Sequence, residues 1–255
     1  MLISINNLKK GEQFVHLFQF LKLFTASINI GLRKDKFYVQ GMDSSHVSVF
    51  EASLNSDWFD VYDINEDTTL GVNVNLFFKI LNIRSDSHKI NIIHNGDNLD
   101  IELISDLKSE YDKFFTMPLM DIDSEELNIQ ESDSTLIFSM ESKKFKTLID
   151  QFSNFGDDIE FKYSDDELML ISDNNTEGSM KINIKLDDME SCEVEENANF
   201  KCSYNLKIIS NMAQFQKLTN DVFLHISPEM PFQLIYNLDD NNYVRFFLAP
   251  KISDD

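Results

Sequence analysis

The chain has little of the chemistry on which enzymes and disulfide-stabilised domains depend. Two cysteines in 255 residues make no disulfide scaffold and favour a reducing compartment. The seven glycines form no phosphate-binding loop, and the five histidines are scattered, with no HExxH or CxxC pattern. We therefore expect no catalysis, no cofactor and no metal site.

Basic residues are also scarce. The 22 lysines and arginines are outnumbered by 44 aspartates and glutamates, which gives a formal charge of −22. Such a chain repels nucleic acid on average, so a DNA-binding face would have to gather its lysines in one place. No apolar run reaches membrane-spanning length, and the first residues lead straight into polar ones. We expect neither a membrane segment nor a signal peptide, and a soluble intracellular protein.

Short alternating apolar segments dominate the chain and predict strands. Residues 28–32 and 37–39 flank a polar turn and form one hairpin, and residues 159–163 and 168–171 form another. Further strands are predicted at 47–54, 59–62, 90–93, 99–104, 180–186, 222–226, 232–236 and 243–248.

Four segments have helical spacing instead, with apolar residues three and four positions apart. Asn73 is the expected N-cap of the second helix. The four stripes are Phe14, Leu17, Phe18 and Leu21; Val74, Phe77, Phe78 and Leu81; Phe145, Leu148, Ile149 and Phe152; and Tyr204, Ile208, Ile209 and Met212.

The order strand, helix, strands, helix, strands occurs twice, at an offset near 130 residues. This predicts a tandem structural repeat. Residues 118–133 are acidic and sparse in apolar side chains, which is typical of an exposed connector. We expect a first domain at 1–117, a connector at 118–133 and a second domain at 134–255.

Five segments, in order along the chain, resemble the eukaryotic and viral sliding clamp family, proliferating cell nuclear antigen. They are residues 41–47, residues 69–73 with 79–81, the connector 119–129, residues 152–157 and the tail 246–252. The resemblance implies an α+β fold of two tandem, similar domains. Their helices would line a central channel, and their antiparallel sheets would form the outside of a homotrimeric ring.

The resemblance also implies a function. The protein would encircle duplex DNA, act as a DNA polymerase processivity factor and recruit replication and repair proteins. An ATP-driven clamp loader would place it on DNA, in the nucleus or in a viral replication compartment.

Carried over position by position, the resemblance gives a groove for a partner peptide. His46, Ala249 and Pro250 would lie beside the slot for the partner's glutamine, and Lys251 and Ile252 would offer backbone for strand-like pairing. The apolar pocket would be lined by Met42, Val47, Val49, Leu127, Ile129, Pro231, Phe247 and Leu248. On residue types alone, residues 42–47 are more typical of a turn than of a binding site. Met42, Leu127 and Ile129 could also serve to pack the connector against the domain, which is compatible with a groove. Gln130 and Ser134 depart from the family's usual proline and tyrosine.

The polar faces of the helices are the second implied surface, facing DNA. In isolation, helix lysines are as readily explained as solubilising residues. The DNA-facing set is Lys9, Lys10, His16, Lys22, Lys79, Lys143, Lys144, Lys146, Lys207 and Lys217.

The family joins its subunits by strand pairing, and the matching edges here are 110–117 and 177–184. The subunit interface would hold Lys113, Phe115, Met117, Met180 and Ile182.

Three alternatives keep the fold and change the function. One is a monomeric viral-type processivity factor that holds DNA by charge. Another is a subunit of a heterotrimeric checkpoint clamp, and the third is an acidic adaptor or DNA mimic that never touches DNA. The mass in solution separates the homotrimeric ring from a monomer.

Overall fold

The structure, a computed structural model, describes residues 1–129, 133–174, 176, 178–186, 189, 191–228, 230–239 and 241–251. The chain divides into two compact units. The first comprises residues 1–44, 51–127 and 239–243, and the second comprises residues 45–50, 128–238 and 244–255.

The first unit contains two helices and two sets of strands. The helices are α1 (Leu8–Leu21) and α2 (Val74–Leu81). One antiparallel sheet has the order β5-β1-β7-β8-β9, and the second set has the order β4-β3-β2-β6. The strands are β1 (Leu2–Ile5), β2 (Ser27–Leu32), β3 (Lys36–Met42), β4 (Ser48–Asn55), β5 (Val61–Asp63), β6 (Thr68–Asn73), β7 (His88–Asn95), β8 (Asn98–Ser105) and β9 (Lys113–Pro118).

The second unit repeats this plan with α3 (Ser142–Phe152) and α4 (Leu206–Ala213). Its strands follow the orders β13-β12-β11-β15 and β14-β10-β16-β17-β18. They are β10 (Leu136–Glu141), β11 (Asp158–Ser164), β12 (Glu167–Asn174), β13 (Gly178–Lys185), β14 (Ser191–Val194), β15 (Phe200–Asn205), β16 (Asp221–Ile226), β17 (Phe232–Asn237) and β18 (Tyr243–Leu248). The expected α+β fold with mostly antiparallel sheets is confirmed.

Aromatic side chains fill the core of the first unit. Phe14 and Phe18 of α1 are at most 1 % exposed. The Phe18 ring lies 4.6 Å from that of Phe77 in α2, and the Phe14 ring lies 5.7 Å from that of Phe37 in β3. Both pairs meet edge to face, an arrangement that adds about 0.5–1.5 kcal/mol per pair beyond the burial of apolar area. The apolar stripe of α1 therefore fixes this helix on its sheet and leaves its polar side outward.

The repeat is visible element by element. The hairpin β2–β3 begins at Ser27 and its counterpart β11–β12 at Asp158, while α2 begins at Val74 and α4 at Leu206. The capping is repeated as well, since the side chain of Asn73 accepts from the backbone N–H of the third following residue and so does that of Asn205. An asparagine at this position satisfies a donor that the first helical turn leaves unpaired.

The fourth predicted stripe is partly wrong. Tyr204 lies in β15, because the Asn205 cap makes the helix begin one residue later. The buried residues of α4 are Leu206, Ile209, Met212 and Ala213. In α2 the buried stripe includes Ile80 instead of the predicted Phe78, which is half-buried. Strands β6, β10, β14 and β15 were not predicted, and the segment predicted at 59–62 forms a strand only at Val61–Asp63.

Candidate functional site

Most of the residues named above lie on the helices, on two outer strands, on the connector of the first unit and on the C-terminal segment of the second unit. On α1 and α2, Lys9 and Lys79 are exposed. The ammonium of Lys10 donates to the carbonyl of Trp58 at 2.7 Å and lies 5.4 Å from the centre of that ring. Lys10 is therefore tied to its own unit, whereas Lys9 and Lys79 point into solvent.

The two other cationic candidates of the first unit are engaged with aromatic rings. The His16 side chain is only 16 % exposed, stacks on the ring of Phe20 at 5.8 Å and hydrogen-bonds Gln19 Oε1 at 2.8 Å. Lys22 is exposed, with its ammonium 4.4 Å from the ring centre of Phe78. This contact stabilises by about 0.5–1 kcal/mol and holds the charge of Lys22 close to the surface of α2.

In the second unit the lysines divide in the same way. Lys146 forms an ion pair with Asp150 one turn further along α3. Lys144 lines a cavity at the edge of its unit, described below. The candidates that are exposed are Lys143, Lys144, Lys207 and Lys217.

The four helices reverse the charge balance of the chain. The only carboxylates within them are Glu12 and Asp150, although the chain has twice as many acidic as basic residues. Their lysines are Lys9, Lys10, Lys79, Lys143, Lys144, Lys146 and Lys207. In each unit the helices therefore carry more lysines than carboxylates, although the protein as a whole is strongly anionic.

In the first unit, β9 is one of the two outer strands of the sheet β5-β1-β7-β8-β9. Met117 pairs with Leu99 and Phe115 with Ile101, and both partners are buried, so Phe115 and Met117 belong to the core side of the sheet. Phe115 is half-buried, whereas Phe114 on the opposite face is 66 % exposed. The Met117 side chain has no exposed surface, so its predicted interface role is corrected to a core position whose backbone alone lies on the edge.

A buried histidine holds the beginning of this edge strand. His88 has no exposed surface, and its Nδ1 accepts from the backbone N–H of Ser85 at 3.2 Å. Its Nε2 therefore donates to the carbonyl of Tyr111, 2.9 Å away. The Lys113 ammonium donates to the carbonyl of Ile83, just after α2, at 3.3 Å. The edge strand is thus tied to the C-terminal end of α2.

In the second unit, β13 is one of the two outer strands of the sheet β13-β12-β11-β15. Ile182 pairs with Leu170 and Met180 with Ser172, and both partners are buried. Met180 and Ile182 therefore lie on the core side, where both are half-buried. Beside this edge is a cavity of about 340 Å³, and its lining includes Phe138, Met140, Lys144, Leu148, Ile182 and Ile184.

The connector is docked on the first unit from Met120 to Leu127. The backbone N–H of Met120 donates to the carbonyl of Gly71 at 2.8 Å and forms an isolated bridge there. A β-carbon added at Gly71 would lie 2.1 Å from the Met120 carbonyl oxygen. Glycine at this position is therefore what allows the connector to approach the sheet.

Three side chains anchor the rest of the connector. Asn29 donates to the carbonyl of Ile122 at 3.0 Å and to Ser124 Oγ at 2.8 Å. Arg33 pairs with Glu126. Gln40 makes two hydrogen bonds to the backbone of Leu127. None of these anchors was identified from the sequence, because their partners lie about ninety positions away in the chain.

The C-terminal segment adjoins residues 46–49 within the second unit. The backbone N–H of Ala249 donates to the carbonyl of Val47 at 3.0 Å. His46 is exposed and has a left-handed backbone, with φ of 57°, and Val47 is 40 % exposed. Leu248 has no exposed surface, so its predicted place in the pocket lining is corrected to a core position. Inward and outward residues alternate along a strand, which puts Leu248 on the same inward side as Phe246 and Val244.

Lys251 makes contacts within its own chain that the sequence did not predict. Its backbone N–H donates to the carbonyl of Ser203 at 2.8 Å, and its ammonium pairs with Asp158 at 2.5 Å. The N–H of Lys251 is thus not available to a partner strand, which corrects that part of the prediction. Ile252, Gln130 and residue 177 lie outside the described residues.

The remaining candidates are partly accessible to a ligand. Ala249 is exposed, and Leu127 is 42 % exposed. Phe247 is 8 % exposed, which leaves little of its ring accessible. Those that are half-buried are Met42, Val49, Ile129, Pro231 and Pro250.

Groups that would indicate other chemistry are not assembled in the described part of the chain. There, no three histidine, cysteine, aspartate or glutamate side chains come together in a way that could hold a metal ion. Cys192 and Cys202 are both free, and burial raises the pKa of the Cys202 thiol to about 11, which keeps it protonated. Among the described helices, none is long and apolar enough to span a membrane.

Comparison with known proteins gives the class. A solved complex of PCNA2 and PCNA3 from Sulfolobus tokodaii has the same fold, with a TM-score of 0.86 at 20% identity over 98% of this chain and 99% of that one. A probable DNA polymerase sliding clamp 2 of Paramecium bursaria Chlorella virus 1 is 27% identical over 89% of this chain and 83% of the relative. Proliferating cell nuclear antigen 2 of Plasmodium falciparum (isolate 3D7) is 24% identical over 96% and 97% of the two chains. The fold is thus that of a sliding clamp.

Family models assign the two halves separately. The N-terminal domain of proliferating cell nuclear antigen matches residues 5–127 and its C-terminal domain matches residues 128–251. The chain belongs to the proliferating cell nuclear antigen family of sliding clamps, which are DNA polymerase processivity factors and not enzymes. The resemblance inferred from the sequence is confirmed.

Proposed function

We propose that three copies of this chain close into a ring that encircles duplex DNA and tethers a DNA polymerase to its template. The observation that carries the proposal is the charge reversal of the helices, whose exposed lysines contrast with a net charge of −22. An open, strongly anionic protein would be repelled by DNA, whereas a closed ring retains DNA by topology. The few helix lysines then need only to stay near the phosphates.

A weak cationic lining suits movement along the duplex. Phosphate contacts carry no sequence information, so a few lysines guide DNA of any sequence. Many tight contacts would instead hold the ring at one place. Lys10, His16 and Lys146 are engaged within their own unit, and Lys144 lines the cavity that we assign to the subunit contact, so the DNA contact set reduces to the other exposed lysines. Lys9, Lys22, Lys79, Lys143, Lys207 and Lys217 are the residues that we assign to it.

Ring closure follows from the two free sheet edges. The backbone of β9 in one copy pairs with β13 in the next, so that the core sides of the two sheets become continuous. Phe115 then meets Ile182 and enters the cavity of about 340 Å³ beside it. An interface between two different surfaces, repeated by rotation, closes as a ring. The pairing would also satisfy the unpaired backbone groups of these two edges, which otherwise favour aggregation.

Retention on circular DNA tests this function. The purified chain should have the mass of three subunits in solution, as measured by light scattering. After loading by an ATP-driven clamp loader, it should remain on nicked circular DNA and slide off the same DNA once it is linearised. A chain that stays monomeric at micromolar concentration, or is lost equally from circular and linear DNA, would contradict enclosure.

A groove for partner peptides is the second part of the proposal. Its apolar lining would comprise Met42, Val47, Val49, Leu127, Ile129, Pro231 and Phe247, with His46, Ala249 and Pro250 at the slot for a glutamine side chain. Such a lining accepts a short helical turn with aromatic anchors. Three grooves per ring would recruit polymerase, repair proteins and other partners at high local concentration, in a nucleus or a viral replication compartment.

Residues 118–133 would act as the connector between domains 1–117 and 134–255.

Replacing Leu127 and Ile129 together by alanine should weaken peptide binding and leave the ring intact. Both side chains are apolar and partly exposed, and truncating such contacts removes about 1–2 kcal/mol each, so affinity should fall at least about tenfold. Fluorescence anisotropy with a labelled peptide measures the affinity, and light scattering measures the mass. The exposed Leu107, replaced by alanine, is the control and should change neither. Peptide binding as tight as in the unmodified chain would show that the groove is assigned wrongly.

A further inference from the structure

A ladder of polar side chains lies beneath the end of the docked connector in the first unit. Glu51 is 3 % exposed, and its Oε2 accepts from the hydroxyl of Tyr38 at 2.7 Å. Gln40 Nε2 donates to the Tyr38 oxygen and to the carbonyl of Leu127, both at 3.0 Å. Gln40 Oε1 accepts from the Leu127 N–H at 2.6 Å. The glutamine side chain therefore pairs with Leu127 as a neighbouring strand would, by one donor and one acceptor.

The ladder fixes which way the glutamine amide faces. An ionised Glu51 can only accept, so the Tyr38 hydroxyl donates to it and must itself accept from Gln40. Burial, followed by the hydrogen bond from its hydroxyl to Glu51, raises the pKa of Tyr38, so the hydroxyl keeps its proton. The Nε2 group then has one hydrogen for Tyr38 and one for the Leu127 carbonyl. Only Oε1 remains, and it faces the Leu127 N–H.

The result is an exposed apolar side chain on a fixed backbone. Leu127 is 42 % exposed although both of its backbone polar groups are paired with Gln40. Further back, Asn29 and Gly71 hold Ile122 and Met120, so the chain between them and Leu127 has little freedom. A binding surface that is already ordered before the ligand arrives loses less conformational entropy when the ligand binds.

We propose that Gln40 is a positioning residue for the peptide groove, setting the backbone of Leu127 so that this side chain is presented to the partner in advance. The inference rests on the proposed peptide groove. Gln40 acts through Leu127 and needs no contact with the partner. Its loss would leave the ring and the DNA-facing helices unchanged, because both lie on other elements.

The decisive variant is Gln40→Met, which keeps the length of the side chain and removes all three of its hydrogen bonds, two to Leu127 and one to Tyr38. Hydrogen exchange of the Leu127 amide should become at least about tenfold faster, since its acceptor is lost. Affinity for a synthetic peptide holding a glutamine and two phenylalanines on one helical turn should fall about 5- to 10-fold. Gln40→Glu keeps an acceptor for the Leu127 N–H but should also weaken peptide binding, because a carboxylate repels the Leu127 carbonyl and cannot donate to it. Asn29→Ala is the matched control: it removes anchors at Ile122 and Ser124 and should leave exchange at Leu127 nearly unchanged.

The two readouts separate the inference from the function on which it rests. If the unmodified protein binds the peptide and Gln40→Met binds it equally well, or leaves exchange at Leu127 unchanged, the positioning role is overturned. If the unmodified protein does not bind the peptide at all, the proposed groove itself is contradicted, and the inference fails with it. Faster exchange together with weaker binding, in a variant that keeps the mass of the unmodified assembly, supports it.

Discussion

Phe115→Asp is expected to convert the proposed three-subunit assembly into monomers. The half-buried ring of Phe115 lies on the core side of the edge strand β9, and the proposed pairing places it in the apolar cavity beside Ile182 and Leu148 of the next copy. A carboxylate there would be desolvated at a cost of several kcal/mol per interface, which an ion pair with Lys144 in the lining does not offset. The dissociation constant should rise at least about a thousandfold, which light scattering at micromolar concentration detects as the mass of one subunit.

The adjacent phenylalanine provides a matched control. Phe114 is 66 % exposed and lies on the other face of the same strand, so Phe114→Asp introduces the same charge one residue away from the cavity. In the proposed pairing the new carboxylate would lie near Lys181, and the three-subunit assembly should remain intact. Far-UV circular dichroism and thermal unfolding establish that both variants are folded. Equal dissociation by the two variants would contradict the assignment of Phe115 to the cavity.

Mixing two defective chains tests the direction of the interface. Phe115→Asp leaves the cavity intact, and Ile182→Asp leaves the aromatic side chain intact. Because the two surfaces differ, the mixture has one functional contact and should stop at a dimer of one copy of each. A three-subunit mass from the mixture would show that the interface is not the one proposed.

Reversing the charge of lysines on the helices should produce the second large effect, a shorter residence time on DNA. The exposed Lys79, Lys143 and Lys207, each replaced by glutamate, should leave the assembly intact and shorten its residence on nicked circular DNA at least about tenfold. The dependence of binding on salt should also become less steep, because each lost phosphate contact lowers the slope by about one. Lys146 and Lys22 are less suitable positions, since Lys146 pairs with Asp150 and Lys22 lies on Phe78.

A control triple variant separates a local effect from general repulsion. Lys34, Lys108 and Lys162 are exposed and lie on a strand or on turns between strands, and replacing them by glutamate changes the net charge by the same amount. Residence on DNA should be nearly unchanged, because these residues are outside the helical surface. Equal losses in the two triple variants would mean that total charge governs binding, which would remove the argument for a cationic lining.

The repeat and most of the helices could be read from the sequence because they depend on local periodicity. The stripe Phe14, Leu17, Phe18 and Leu21 is buried as predicted. Asn73 caps α2 by accepting from the backbone N–H of Leu76. Tyr204 was assigned to the wrong element because a strand that runs directly into a helix keeps apolar residues on both sides of the cap. There, only the hydrogen bond to Asn205 decides where the helix begins.

Side-chain exposure at the site was less predictable. Met117 and Leu248 were both named as surface residues, and both are completely buried, since a strand alternates its faces and the inward face is fixed by packing. Lys251 was expected to pair with a partner through its backbone, yet its N–H is bonded to the carbonyl of Ser203, nearly fifty positions earlier. No local pattern contains that information.

The sequence by itself determined the class of this protein: the order of its elements, their duplication, its shortage of cations and the family segments at 41–47 and 246–252. The tertiary structure alone decided which lysines are exposed, that β9 and β13 are free edges, that a cavity lies beside Ile182, and that Gln40 holds Leu127. The physical reason is range. Helical and strand periodicity act over a few residues, whereas strand order, ion pairing and backbone anchoring join positions tens of residues apart and exist only once the chain is folded.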